Sequence, residues 1–544
     1  MKNVICILLL CFVSVFGRVA LNDIKDDISN LITDVLSVKT EKSIVNSTNI
    51  ETNYSDNKIN ENLIDVTINN TTVKPLTTDK EVSDNLLDVN HNESISNEPK
   101  VDNGTALILT PFIKEGRIKE ARNASRVDSK PFLGIESYSG FFTVNETYDS
   151  NIFFWYFPIL NKPVNESPWM IWLQGGPGAS SMTGLFDEIG PFTVVNDTLI
   201  QNPYTWLHNH SMLFIDNPVG TGYSFTKHLD GLATDMETYS RHLYLTLKQF
   251  IEVFPELKSV PLYIAGESYA GKYVPALAME IHKRKEKIGN DINLKGLILG
   301  NAYVDPDMIS HIAWPYYYFG ILEREQIDTV KPLLDNFQKN IRDNKSVEAK
   351  MAWMKLVNAL LILANQRHGY NFLRDDIPVG KYIKFLQTSE VKRAIHVGDI
   401  HFAFVNVTVN MKLAPEFLSS AKPIVERLLE HYRVLAYCGQ LDLMLPCVFT
   451  SENYRTWHWN GTDEFITARR YPYIFDNTLA GYHKTGGNLT EVVVRGAGHM
   501  VPLDKPPSTQ NLITLWTHEK PLIRRREPVK VSVFINETAL YYYL

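Results

Sequence analysis

Short apolar runs punctuate this chain, and longer stretches with apolar residues on one helical face lie between them. The runs at 153–157, 170–173, 212–215, 262–265 and 294–299 are rich in aromatic and aliphatic residues and end at Gly, Pro or polar clusters. Their lengths and boundaries predict strands of a central mixed sheet. The segments 234–253 and 276–287 predict helices between them. Two later runs, 434–437 and 492–494, predict further strands. After Asp305 the pattern changes. Helical stretches and an aromatic cluster, Trp314-Pro315-Tyr316-Tyr317-Tyr318, run to about residue 410, and strand-like runs resume near Val434. The alternation predicts an α/β fold whose sheet is interrupted by a largely helical insertion.

The ends of the chain follow other patterns. Lys2, the apolar stretch 4–16 and the small-residue end at Gly17 have the plan of a signal peptide over 1–17. That stretch is short for a membrane span, and no other segment approaches one, so no membrane span is expected. Residues 18–100 are rich in Asn, Asp, Ser and Thr and nearly free of aromatics, too little apolar surface to fold alone. The expected organisation is a signal peptide (1–17), a disordered segment (18–100), an α/β domain in two parts (101–304 and 411–525) around the insertion (305–410), and a tail (526–544). The run Arg524-Arg525-Arg526 at the start of the tail reads as a solvated charge cluster, and no Lys-Asp-Glu-Leu-type retention signal ends the chain.

Chemistry concentrates where strands end. Gly266-Glu267-Ser268-Tyr269-Ala270-Gly271 follows the run at 260–265 and precedes a helical pattern. A serine at such a sharp strand-to-helix turn has its hydroxyl exposed above the sheet, as in the nucleophile elbow of α/β-hydrolases. Ala270 stands where the last glycine of G-x-S-x-G would be. Asp442 follows the run at 434–437, and His499 follows 492–494 within Gly496-Ala497-Gly498-His499-Met500-Val501-Pro502. Singly, each reads as well as a turn residue. Together they give nucleophile, acid and histidine in the order of the α/β-hydrolase fold, which is the fold class expected here.

These segments also resemble the serine carboxypeptidase family, over about 130–507. The resemblance rests on Trp172-Leu173-Gln174-Gly175-Gly176-Pro177-Gly178-Ala179-Ser180-Ser181, on Asp216-Asn217-Pro218-Val219-Gly220-Thr221-Gly222-Tyr223-Ser224, on Gly300-Asn301-Ala302, and on the serine, aspartate and histidine segments already named. It is nearest to the animal branch with vitellogenic and venom carboxypeptidases. The resemblance implies a Ser268–His499–Asp442 triad and an oxyanion hole made by the N–H groups of Gly176 and Tyr269. It further implies recognition of the substrate's terminal carboxylate by Trp172, Gln174, Glu188 and Glu267, and a cap over the site formed by the insertion. Gln174 replaces the usual asparagine but keeps the amide donors. Glu188 and Glu267, close together in a closed site, are expected to hold a proton and donate it to the bound carboxylate. Thr183, Asp187 and Met500 match positions lining the pocket for the terminal side chain. Asp187 there would favour a C-terminal Lys or Arg, with an outward-facing Asp187 the equal alternative. Ala179 stands where relatives often carry a disulfide cysteine.

Composition narrows the compartment and partners. Of four cysteines, Cys6 and Cys11 lie in the signal segment, leaving Cys438 and Cys447 on either side of Asp442. In an oxidising compartment these are expected to pair. More than a dozen Asn-x-Ser/Thr sites, among them Asn123, Asn145, Asn196, Asn344 and Asn460, fit passage through the secretory pathway, ending outside the cell or in the lysosome. A net charge of −7 without a basic block argues against nucleic acid. Histidines and cysteines lack ligand spacing, so no metal and no cofactor are expected. The expected partners are peptide or protein C-termini. Oligomeric state stays open, a homodimer included. Three competing readings share the triad or the fold: an acyltransferase passing the acyl group to an alcohol, a lipase or esterase, and a silent secreted binding or storage protein.

Overall fold

The structure, a computed structural model, describes residues 102–288, 292–377 and 379–522. The expected signal peptide, the segment 18–100 and the tail 526–544 lie outside the described residues.

Twelve strands are present: β1 (Tyr138–Asn145), β2 (Ser150–Phe157), β3 (Trp169–Leu173), β4 (Phe192–Val195), β5 (Thr198–Gln201), β6 (Ser211–Ile215), β7 (Leu262–Glu267), β8 (Leu294–Gly300), β9 (Arg433–Gly439), β10 (Tyr471–Phe475), β11 (Thr478–Gly486) and β12 (Leu489–Val494). Ten form one sheet in the order β1-β2-β6-β3-β7-β8-β9-β12-β11-β10, while β4 and β5 form a separate hairpin. From β6 to β12 neighbouring strands run parallel, and antiparallel strands close both edges. This is the α/β-hydrolase architecture expected from the sequence.

Why the central runs are apolar throughout becomes clear from where alternate residues go. In β2, Phe154 and Tyr156 enter one core and Phe153, Trp155 and Phe157 the other, on opposite faces of the sheet. In β7, Leu262 and Ile264 face the first core, Tyr263 and Ala265 the second. Side chains alternate along a strand, so a sheet covered on both faces needs apolar residues at every position. The first face is covered by α1 (Met236–Val253) and α2 (Ala270–Ile288). Asp235 caps α1, its side chain accepting from the Thr238 N–H at 2.8 Å. The second face receives Leu512, Ile513 and Trp516, on a helix near the end of the described chain.

The described residues between 301 and 432 add no strand to the sheet. Their longest helices are α3 (Arg324–Arg342) and α4 (Ser346–Leu363). No helix among the described residues is long and apolar enough to cross a membrane. The segment returns beside the strand ends, where Ala403 pairs with Gly222 and Val405 with Ala179. The loops after β3, β6, β7, β8, β9 and β12 thus meet at the carboxyl ends of neighbouring parallel strands, where open α/β sheets hold ligands.

Candidate active site

Ser268 is the first residue past β7 and has φ of 62°. That region is uncommon for a side-chain-bearing residue, and the neighbours hold it there. The Ser268 N–H donates to the Gly300 carbonyl (3.0 Å), while its carbonyl accepts from Gly271 (2.9 Å) and Tyr303 (2.8 Å). The departure at Ala270 has a local cause. A Cβ on Gly266 would lie 2.7 Å from the Ala270 Cβ, so the glycine at one end makes room for the methyl at the other. The Gly-Gly-Pro-Gly loop after β3 presses on the same turn: a Cβ on Gly175 would lie 2.5 Å from the Tyr269 nitrogen and 2.8 Å from the Ser268 Cβ. Among the described residues, neither the Gly176 nor the Tyr269 N–H has a backbone or side-chain acceptor.

His499 and Asp442 meet at 2.7 Å, Nδ1 to Oδ2, and both are buried. The Asp442 carboxylate is fixed on every side. Oδ1 accepts from the Met444 (2.7 Å) and Leu445 (3.2 Å) N–H groups, and Oδ2 also accepts from the Asn301 amide at 2.7 Å. Asn301 in turn accepts from the Gly439 N–H at 3.2 Å. Behind the histidine, its own N–H donates to the Tyr370 carbonyl (2.6 Å), and Asp504 accepts from the Gly498 N–H (2.7 Å). Cys438 and Cys447 form a disulfide, with S–S 2.04 Å and Cα atoms 5.7 Å apart, across the Asp442 loop. Closing so short a loop stabilises the fold by about 2–3 kcal/mol in the chain-entropy picture. Replacing both cysteines by serine should lower unfolding free energy by about that amount. Alkylation of unfolded, unreduced wild type at these positions would show the bridge to be absent.

A second polar cluster adjoins the serine. The Gln174 amide donates to Glu188 (3.3 Å) and Glu267 (3.1 Å), and the Trp172 indole N–H donates to its oxygen at 2.9 Å, which fixes the amide's direction. Among the described residues no amide, amine or hydroxyl donates to the other oxygen of each glutamate, Oε2, and the two carboxyls bond to each other. Burial pushes Glu188 up to about 7. Burial, reinforced by the adjacent Glu188 carboxylate, holds Glu267 well above the usual carboxylate range. Two carboxyls in one dry site keep a proton because neither burial nor like charge tolerates two anions.

Gln174, Gly176, Thr183, Glu267, Ser268, Tyr269, His499 and Met500 all line one cavity. Trp172, Glu188 and Asp442 stand behind it, each bonded to a lining residue. Asp187 does not line the cavity; its Oδ2 accepts from the Gly380 N–H at 2.9 Å. Burial holds that carboxyl well above its ordinary range. The chain between β8 and β9 supplies much of the remaining wall, including Tyr303, Lys350, Trp353, Tyr370 and Phe417.

Sequence reasoning assigned no role to several residues that build this site. Asn301 holds the Asp442 carboxylate. Asp216, just past β6, accepts from Ser180 Oγ (2.6 Å), Ser181 N–H (3.0 Å) and Tyr223 N–H (2.9 Å), tying the glycine loop to its neighbour. The available signal was an acid or amide placed directly after an apolar strand.

The serine carboxypeptidase family pattern matches residues 128–519. The chain is 40% identical over 431 residues to the venom serine carboxypeptidase of Apis mellifera, covering 77% of this chain and 92% of that one. It is 39% identical over 442 residues to the probable serine carboxypeptidase CPVL of Homo sapiens (78% and 92% covered). With the vitellogenic carboxypeptidase of Aedes aegypti it shares 37% over 437 residues (77% and 91%). A solved prohormone-processing carboxypeptidase from Saccharomyces cerevisiae superposes with a TM-score of 0.67 at 24% identity, covering 74% of this chain and 98% of that one, a likeness of fold. The chain belongs to the serine carboxypeptidase family and is a serine-type carboxypeptidase.

Proposed function

We propose that this enzyme removes single residues from peptide C-termini through a covalent acyl-enzyme, and that it works best in acid. The Glu188–Gln174–Glu267 cluster beside Ser268 carries the reading, because it offers a donor for a terminal carboxylate without a fixed cation. Ser268 Oγ attacks the last peptide carbonyl as His499 Nε2 takes its proton. The Gly176 and Tyr269 N–H groups receive the oxyanion. His499 then protonates the leaving amino acid, and water, activated by the same imidazole, releases the shortened peptide. Asp442 orients the ring and stabilises its cation. The test is a panel of blocked dipeptides against the same compounds as C-terminal amides, following release of the last residue. Faster turnover of the amides in mild acid would sink the carboxylate-recognition reading.

Passage through the secretory pathway is supported by the signal-like residues 1–17 and the disulfide. Exposure of Asn123, Asn196, Asn344 and Asn460 at sequons supports it as well. Asp187, which accepts from the Gly380 N–H, braces the cavity wall from behind, next to the lining residue Val379. Asp187→Asn should therefore leave the ratio of Arg to Leu release unchanged; a ratio that moves toward Leu would put the carboxylate in contact with the substrate.

A further inference from the structure

Lys350, on α4, lines the same cavity as Ser268 and is buried, with 4% of its surface exposed. Its Nζ donates to the Asn410 carbonyl at 2.5 Å. An ammonium has three N–H donors, so the rest of its capacity must be met elsewhere. The charged group that faces it is another cation, Lys272 of α2. Lys272 is provided for. Its Nζ donates to the carbonyls of Glu416 (2.7 Å) and Phe417 (3.0 Å), lies about 5 Å from the Tyr269 and Tyr303 ring centres, and is balanced by the Glu416 and Asp305 carboxylates. Glu416 also accepts from the Tyr239 hydroxyl at 3.0 Å. Lys350 has no such counter-charge among the described residues. Burial pushes it down to about 7, so in acid it carries its proton.

The position of Lys350 fixes which part of a substrate it meets. The carboxylate cluster is continuous with the 183–188 stretch: Trp172, bonded to Gln174, packs against Gly184, and Glu188 lies one helical turn on. Lys350 belongs to a different wall. Its partner Asn410 donates to the Pro177 carbonyl at 3.0 Å, beside the proposed oxyanion donor Gly176, and Trp353, Met354 and Phe417 line the cavity with it. A terminal carboxylate held at Gln174, with its scissile carbonyl at Ser268, sends the penultimate residue toward the Lys350 wall. We propose that Lys350 is a specificity-determining residue that selects an acidic side chain at the penultimate position of the substrate. This rests on the carboxypeptidase reading above. A substrate carboxylate supplies the missing counter-charge in an otherwise apolar wall, where truncating one partner of such a pair is costly.

The experiment uses the full-length enzyme and blocked dipeptides with Glu, Gln or Leu followed by a constant terminal Phe, compared by kcat/KM in mild acid. Wild type should favour Glu over its isostere Gln by about tenfold to a hundredfold, the range of a charge-assisted hydrogen bond. In Lys350→Met that ratio should fall to near one, and Lys350→Arg should restore most of it. A purely structural Lys350, acting through the Asn410 carbonyl, would slow all three substrates together and leave the ratio intact; that result overturns the proposal, as does a wild type indifferent to Glu and Gln. Failure to release Phe from the Leu substrate while the matching amide is cleaved would instead sink the carboxypeptidase reading.

Discussion

Ser268→Ala should reduce peptide turnover by about 10⁴-fold or more and abolish covalent labelling by a fluorophosphonate. The magnitude follows from the division of labour at the site. The strained turn at Ser268 and the tight contact of Gly175 present the serine hydroxyl to the cavity shared with His499. Such residual rate as the alanine variant retains would come from the Gly176 and Tyr269 N–H donors and from substrate binding. His499→Ala should cost about as much, since members of a triad act as a unit. Asn301→Ala provides a graded control. It removes the 2.7 Å amide contact to Asp442 but leaves the histidine contact and two backbone donors in place, so a smaller loss is expected. Unchanged hydrolysis in Ser268→Ala, measured on protein with a normal melting curve, would remove the nucleophile assignment.

How far the sequence disclosed this arrangement depended on whether a residue's role is local. The runs at 262–265 and 294–299 were legible as strands because both faces of the sheet are covered, and the observed β7 and β8 only extend them. The β10–β11 hairpin was not legible. Half of it faces solvent, its residues mix Tyr, His and Lys with Thr and Gly, and its turn at Asp476-Asn477, both at positive φ, is a weak signal in a polar stretch. Helix α2 shows a different failure. The sequence pattern places it from Lys272 or Ala276 to Lys287, while the helix starts at Ala270 and takes Pro275 in its second turn. In the site, serine, acid and histidine each sit just past a strand, which a sequence displays. Asn301, Asp504 and Lys350 act through partners brought near only by folding, and pattern along the chain carries no trace of that. Asp187 is the converse: its position promised a pocket carboxylate, and its bond to the 380 backbone emerges only once the insertion is folded against it.

The profile of activity against pH should split by substrate. A terminal carboxylate bound without a fixed cation needs a protonated partner, and the Glu188–Glu267 pair is placed to be one. Burial raises both groups, Glu188 to about 7 and Glu267 further with the help of its neighbour's charge. A raised carboxyl keeps its proton below the raised value and loses it above. The pair therefore donates in acid, and as pH climbs through about 7 Glu188 ionises first, setting an anion against the substrate's anion while Glu267 keeps its proton. For blocked dipeptides the Michaelis constant should then rise by about tenfold per pH unit beyond that point, confining good turnover to acid. A C-terminal amide has no charge to lose contact with, so its kcat/KM should hold to higher pH. Glu188→Gln sharpens the test. It replaces the group that ionises first by an amide that donates at every pH, so the peptide profile should flatten toward that of the amide substrate, with its rate in acid set by how well Gln174 and Glu267 still hold the carboxylate. Coincident profiles for the two substrate types in wild type would mean that the shared proton has no part in binding, and that the carboxylate is held by a neutral donor such as the Gln174 amide instead.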